Sequence, residues 1–159
     1  MSLAQLQTEV QPICEFIRTL DINANNANIL LEEAFPLSSL GSIRSLVLSG
    51  VEQGWLCPRG DSPLRYGRVQ KTSTEMPIGI DSVDMDGSLS TCAGPGHEHP
   101  NGEIDLCFSL SGNPDFDGHP EGWTVYPPKS WHIPTVHNGR MAILYFLPDG
   151  AIRCGPQET

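Results

Sequence analysis

The periodicity of apolar residues changes once along this chain, between Gly54 and Trp55, and that change constrains the fold more than any other feature. Before it, Leu3, Leu6, Val10, Ile13, Ile17 and Leu20 recur at intervals of three and four, which places them on one face of a helix. Pro12 kinks or divides that helix, because its ring removes a backbone donor and crowds the preceding turn. A second helical stretch is expected over 28–34, ended by Pro36, and a third over 38–53, with Leu40, Ile43, Leu46 and Val47 as its apolar stripe and Gly54 as its stop. After Trp55, glycine and proline punctuate short β-rich segments at 65–69, 79–84, 103–110 and 124–126, then at 141–147 after a turn at Asn138 and Gly139, and finally at 151–153. Closely spaced antiparallel strands of this kind close a small barrel. The expected fold is α+β in one domain over 1–159, a helical segment (1–54) packed on a small antiparallel β-barrel (55–159).

Charge narrows the partners. Nineteen acidic against nine basic residues give a formal charge of −10, which disfavours nucleic acid, since phosphates seek a basic surface. An anionic small molecule is still compatible where cations converge locally, and Arg59, Arg65, Arg68 and Lys71 stand close together. No apolar run approaches the ~20 residues of a membrane span. The first twenty residues carry Glu9 and Glu15 and no basic start, so neither a secretory signal nor membrane attachment is expected, and the cytoplasm is the expected location. Cys14, Cys57, Cys92, Cys107 and Cys154 form no CxxC pair and are odd in number, which reads as reduced thiols.

Four of the five histidines fall in two windows. Residues 94–103 read Gly-Pro-Gly-His-Glu-His-Pro-Asn-Gly-Glu. On a strand, residues two apart share a side, so His97 and His99 face one cavity, and Glu103 has the same parity. Two imidazoles and a carboxylate suit one divalent ion, with iron, manganese, nickel, copper and zinc all open, and they leave positions free for water or substrate. A lone HxH is more often a chance pair. The matching interval to Glu103, and a Pro127-x4-His132 spacing within β-rich sequence, favour a metal site. His119, between Gly118 and Pro120, reads as an exposed turn residue.

The spacing H-x-H-x3-E is similar to the first motif of the cupin family, and 122–132 resembles the second, in which a proline precedes a histidine by five residues. The resemblance implies His132 as fourth ligand. It is incomplete: Lys129 stands where the pattern has glycine, Val136 where it has asparagine, and Leu110 where a glycine follows the glutamate by seven, with Gly112 two residues later. His137 therefore competes with His132.

Helices ahead of a short barrel, the junction 54–59 (Gly-Trp-Leu-Cys-Pro-Arg), the segment 102–106 (Gly-Glu-Ile-Asp-Leu) and the ending 143–152 (Ile-Leu-Tyr-Phe-Leu-Pro-Asp-Gly-Ala-Ile) together resemble the 4-hydroxylaminobenzoate lyase family. That resemblance implies conversion of 4-hydroxylaminobenzoate to 3,4-dihydroxybenzoate (protocatechuate) with release of ammonia, as in bacterial degradation of nitrobenzoates. For such a reaction Glu98 and Tyr126 are candidate proton shuttles. Arg68 is the preferred partner of the substrate carboxylate; Arg65, at an odd interval from it, would face the other side of a strand. Trp123, like Trp55 and Trp131, is a candidate platform for the aromatic ring, although core packing is the commoner role of such residues. Cys57 reads as a buried thiol. Similar cupins are commonly dimers, so a homodimer is expected. Two rivals stand beside the lyase: another metal-dependent cupin enzyme, a dioxygenase or isomerase of a small aromatic or sugar acid, and a non-enzymatic cupin that senses an aromatic acid.

Overall fold

A computed structural model describes residues 1–158. Helices occupy the chain up to Gln53 and strands begin at Arg59. The first helical stretch is divided, as Pro12 suggests, into α1 (Leu3–Glu9) and α2 (Gln11–Thr19). Pro12 lies in the first turn of α2, where a missing N–H removes no helix bond. Ser2 caps α1 by accepting from the Gln5 backbone N–H at 3.2 Å. Then come α3 (Ala27–Ala34), a 3₁₀ turn (Leu37–Ser39) and α4 (Gly41–Gln53). Gly54 ends α4 at φ +81, a left-handed conformation that glycine adopts without penalty. No single helix is long and apolar enough to cross a membrane.

The larger sheet is antiparallel throughout and runs in the order β1 (Arg59–Asp61), β2 (Leu64–Gln70), β3 (Ile78–Asp86), β9 (Thr135–Pro148), β6 (Glu103–Phe116), β7 (Gly122–Tyr126), with β4 (Cys92–Ala93) also paired to β9. The smaller sheet orders β10 (Arg153–Cys154), β5 (His97–His99) and β8 (Ser130–His132). β6 and β9, 14 residues each, form the centre. Their alternation separates two cores. Ile104, Leu106, Phe108, Leu144 and Phe146 meet Leu6, Ile13, Leu31 and Val47 of the helices. Cys107, Phe116, Met141, Ile143 and Tyr145 point the other way. Each fully buried large side chain contributes roughly 1.5–3 kcal/mol, so the helices are held on the sheet chiefly by this apolar seam. The result is α+β, N-terminal helices packed on an antiparallel β-fold of two sheets.

The turn expected at Asn138 and Gly139 is instead part of β9, which continues from Thr135 through both residues. The two residues sit in an irregular stretch where the β6–β9 register shifts around Gly112. Asn138 takes φ +63 there. A side chain at 139 would bring its Cβ within 2.3 Å of the Ser111 carbonyl oxygen, so glycine serves close strand approach and not a hairpin. The strands over 103–110 and 141–147 are likewise longer than their apolar patterns indicate, because their ends bend through these bulges and pair beyond them.

Candidate metal centre

Strand geometry converges the four expected ligands. β5 pairs antiparallel with β8 so that His97 lies opposite His132, while β6 begins at Glu103 beneath them. Ligand atoms of His97, His99, Glu103 and His132 all lie within 4.8 Å of one another. Glu103 Oε2 is 3.2 Å from His99 Nε2 and 3.7 Å from His132 Nε2, and its Oε1 is 3.6 Å from His97 Nε2. His97 Nε2 and His132 Nε2 are 3.1 Å apart.

The other imidazole nitrogen of each histidine is engaged outside the cluster. His97 Nδ1 is 3.1 Å from the Pro95 carbonyl, His99 Nδ1 is 2.9 Å from Ser130 Oγ, and His132 Nδ1 is 2.7 Å from Asp117 Oδ2. Ser130 donates its own proton to the Pro127 carbonyl at 2.6 Å, so its oxygen is an acceptor toward His99. With all three Nδ1–H groups donating outward, three Nε2 lone pairs and a carboxylate face one point. His99 Nε2 and both Glu103 oxygens are buried there with no hydrogen-bond partner among the described residues. Buried acceptors meeting without a donor repel one another unless a cation lies between them. The residues therefore fit a borderline divalent ion, and the three-histidine, one-carboxylate set is shared by iron, manganese, nickel, copper and zinc. In the bare cluster, burial opposes charge on His97 and Glu103, but their mutual attraction outweighs it: the His97 pKa is raised and that of Glu103 is lowered.

Asp117, which sequence reasoning missed, supports the fourth histidine. At φ +52 just past β6, its Oδ2 accepts from His132 Nδ1 and from the Tyr126 hydroxyl, and its Oδ1 accepts from the Thr135 backbone N–H at 2.9 Å. Burial pushes the Asp117 pKa up, and the His132 and Tyr126 hydrogen bonds more than reverse this. Tyr126 also packs its ring on His132 and His99, at centroid distances of 4.4 and 5.2 Å. Its hydroxyl is committed to Asp117.

The remaining candidates separate. Glu98 has the opposite parity to its histidine neighbours and pairs with Arg153. His137 pairs with Asp115 at 3.1 Å, outside the cluster, and His119 is exposed. Trp123 lies on the helix side of the sheet, packed between Phe35 and Phe146, and donates its Nε1–H to the Phe35 carbonyl at 2.9 Å. Arg65 turns to a surface shared with Asp84 and Arg140, while Arg68 borders a cavity that reaches the cluster, so the odd interval does place the two arginines on opposite sides.

That cavity, about 460 Å³, is lined by Arg59, Leu64, Arg68, Met85, His97 and Tyr145 among others. One row of cross-strand partners runs from Arg68 on β2 through Asp81 on β3 and Tyr145 on β9, which border the cavity, to the buried Asp105 on β6 and Thr124 on β7. Arg68 Nε donates to Asp81 Oδ1 at 2.5 Å. Asp105 is fully buried, and its carboxyl oxygens and the Thr124 hydroxyl find no hydrogen-bond partner among the described residues. Burial, and then the Glu103 charge beside it, push the Asp105 pKa well above the usual carboxylate range. Asp105 shares the parity of Glu103, a signal that was present in the sequence.

Residues 9–154 match the family model described as PnbB, 4-hydroxylaminobenzoate lyase. A 4-hydroxylaminobenzoate lyase of Pseudomonas putida is 30% identical over 156 residues, covering 87% of this chain and 89% of its own. Another, from Nocardioides sp. (strain LMS-CY), is 33% identical over 118 residues, 69% of each chain. Among solved structures, a cupin-like protein from Thermotoga maritima aligns at a TM-score of 0.41 and 13% identity, over 64% of this chain and 86% of that one.

Proposed function

The chain belongs to the 4-hydroxylaminobenzoate lyase family, and on that premise we propose that it converts 4-hydroxylaminobenzoate and water into 3,4-dihydroxybenzoate and ammonia, with His97, His99, Glu103 and His132 holding one divalent ion. The observation that carries this reading is the convergence of three outward-anchored imidazoles and a buried carboxylate at the end of a cavity bordered by Arg68.

The reaction is redox-neutral overall, since one water enters and one ammonia leaves. A consistent course begins with heterolysis of the N–O bond, its electron pair leaving with oxygen, which departs as water after taking a proton. Water then adds at the neighbouring ring carbon. A second water hydrolyses the imine at the original carbon, ammonia leaves, and loss of the ring proton restores aromaticity. An ion at the cluster would supply Lewis acidity toward the oxygens of substrate and water.

The chain's own residues set the orientation. Arg68 uses Nε on Asp81, which fixes the side chain and leaves its terminal nitrogens to meet a carboxylate. Arg59, bordering the same cavity, adds positive charge. Leu64, Met85 and the face of Tyr145 provide apolar surface for a ring between the cation and the cluster.

Purified protein supplied with 4-hydroxylaminobenzoate under anaerobic conditions tests this directly. Ammonia and 3,4-dihydroxybenzoate should appear in equal amounts. Product formation that demands oxygen would replace the lyase with a dioxygenase, and binding without turnover would leave a sensor.

A further inference from the structure

Tyr145 lines the cavity beside His97, where the cavity reaches the cluster. In the cross-strand row it faces Asp81, the partner of Arg68, on one side and Asp105 on the other. Strands lie ~4.8 Å apart, so Arg68 and Tyr145, two strands apart, are separated by roughly 10 Å at the backbone, a gap suited to a benzoate-sized ring. The Tyr145 ring centroid is 6.4 Å from that of His97, and both residues line the cavity.

Its neighbours along the strand on the same face are apolar Ile143 and Leu147, and the residue is only 5% exposed. Phenylalanine would fill the same space, so packing does not require the oxygen. A buried tyrosine hydroxyl ordinarily finds a partner. Tyr126 does so with Asp117, whereas no described residue takes the Tyr145 hydroxyl, and its oxygen is not among the fully enclosed polar atoms. The group is available to a molecule in the cavity.

We propose that Tyr145 is a catalytic residue whose hydroxyl donates a hydrogen bond to the N-hydroxyl oxygen of the bound hydroxylaminoarene. The proposal rests on the reading of this cavity as the substrate site. Burial, together with Asp105 and Glu103, keeps the phenol protonated and therefore a donor. During N–O cleavage the bonding pair moves to oxygen, where negative charge builds until that oxygen takes a proton drawn from solvent and leaves as water. A donor already in place stabilises this charge more than the neutral ground state.

Tyr145→Phe tests it. The substitution removes one oxygen and no protein hydrogen bond, so circular dichroism and metal content should match the wild type. The kcat for ammonia release should fall by ~10²–10³, the range for loss of one preorganised donor. Binding is read separately on metal-stripped protein, with 4-hydroxylaminobenzoate and with 4-aminobenzoate, which lacks the N-hydroxyl. Wild type should favour the former, and the variant should bind the two alike. Unchanged kcat and an unchanged preference would overturn the role of Tyr145 while leaving the lyase intact. Equal weakening toward both ligands would make Tyr145 a packing residue and also overturn it. A wild type that releases no ammonia would overturn the lyase reading, and the binding comparison would still decide whether Tyr145 reads the N-hydroxyl.

Discussion

Asp117 Oδ2 lies 2.7 Å from His132 Nδ1, and that hydrogen bond determines which nitrogen His132 turns toward the cluster. The carboxylate fixes the proton on Nδ1 and so leaves Nε2 as a bare donor of electrons, the arrangement that makes a histidine a good metal ligand. Asp117→Ala should weaken metal binding by ~10–100-fold, the range for loss of a group that orients a ligand. Asp117→Asn, which retains an oxygen acceptor, should recover part of the loss. Competition with a coloured chelator gives both affinities. Wild-type affinity in the alanine variant would show that His132 needs no such support.

Arg68 makes a quantitatively modest prediction. Its side chain is 58% exposed and already paired with Asp81, so a contact with a carboxylate would be worth about 1 kcal/mol, nearer an exposed ion pair than a buried one. Arg68→Ala should raise KM for 4-hydroxylaminobenzoate several-fold with kcat little changed, and leave the uncharged hydroxylaminobenzene unaffected. Equal losses on both substrates would show that Arg68 does not read the carboxylate.

Trp123 is expected to matter for stability and not for recognition. It fills the space between Phe35 of the helical segment and Phe146 of β9, and truncating such an aromatic to alanine costs ~3–5 kcal/mol. Urea unfolding of Trp123→Ala should show that loss, with KM unchanged in whatever fraction remains folded. A selective rise in KM with undiminished stability would restore the tryptophan to the substrate site.

Thiol chemistry reports on the same packing. Burial pushes the Cys14 pKa up to about 11 and that of Cys57 up to about 12, and it raises those of Cys92 and Cys107 as well. Only the thiolate reacts, so each of these thiols is protected below its raised pKa as well as by enclosure. Of the five free cysteines only Cys154 is exposed. At pH 8 a thiol reagent should therefore label Cys154 rapidly in native protein and the rest only after denaturation. Rapid native labelling of Cys57 would contradict its burial.

The convergence of the four candidate ligands was legible because its signal is local: His97, His99 and Glu103 share a strand parity over seven positions, and His132 follows Pro127 by five residues. The division at Pro12 and the stop at Gly54 were legible for the same reason, each being a property of one residue's backbone. Asp117 was not, since its role arises only when the turn after β6 folds back beside β8, fifteen residues away in sequence from His132. Tyr145 sits in an apolar run that reads as core, and its hydroxyl gains meaning only from the register that places it between Asp81 and Asp105. The split between Arg65 and Arg68 followed from parity, but which side held the cavity depended on where the helices pack. Trp123 illustrates the reverse, a residue whose parity was readable but whose face belongs to the helices.

Chelation tests whether His97, His99, Glu103 and His132 form a metal-dependent lyase centre. Ammonia release from 4-hydroxylaminobenzoate is measured on protein as purified without an affinity tag, after stripping to a metal content verified by elemental analysis, and after readdition of each candidate ion. Activity should disappear with the metal and return with at least one ion, while His99→Ala, stripped or reloaded, stays inactive. Full ammonia release from protein verified to be metal-free would show that the reaction needs no ion at this cluster.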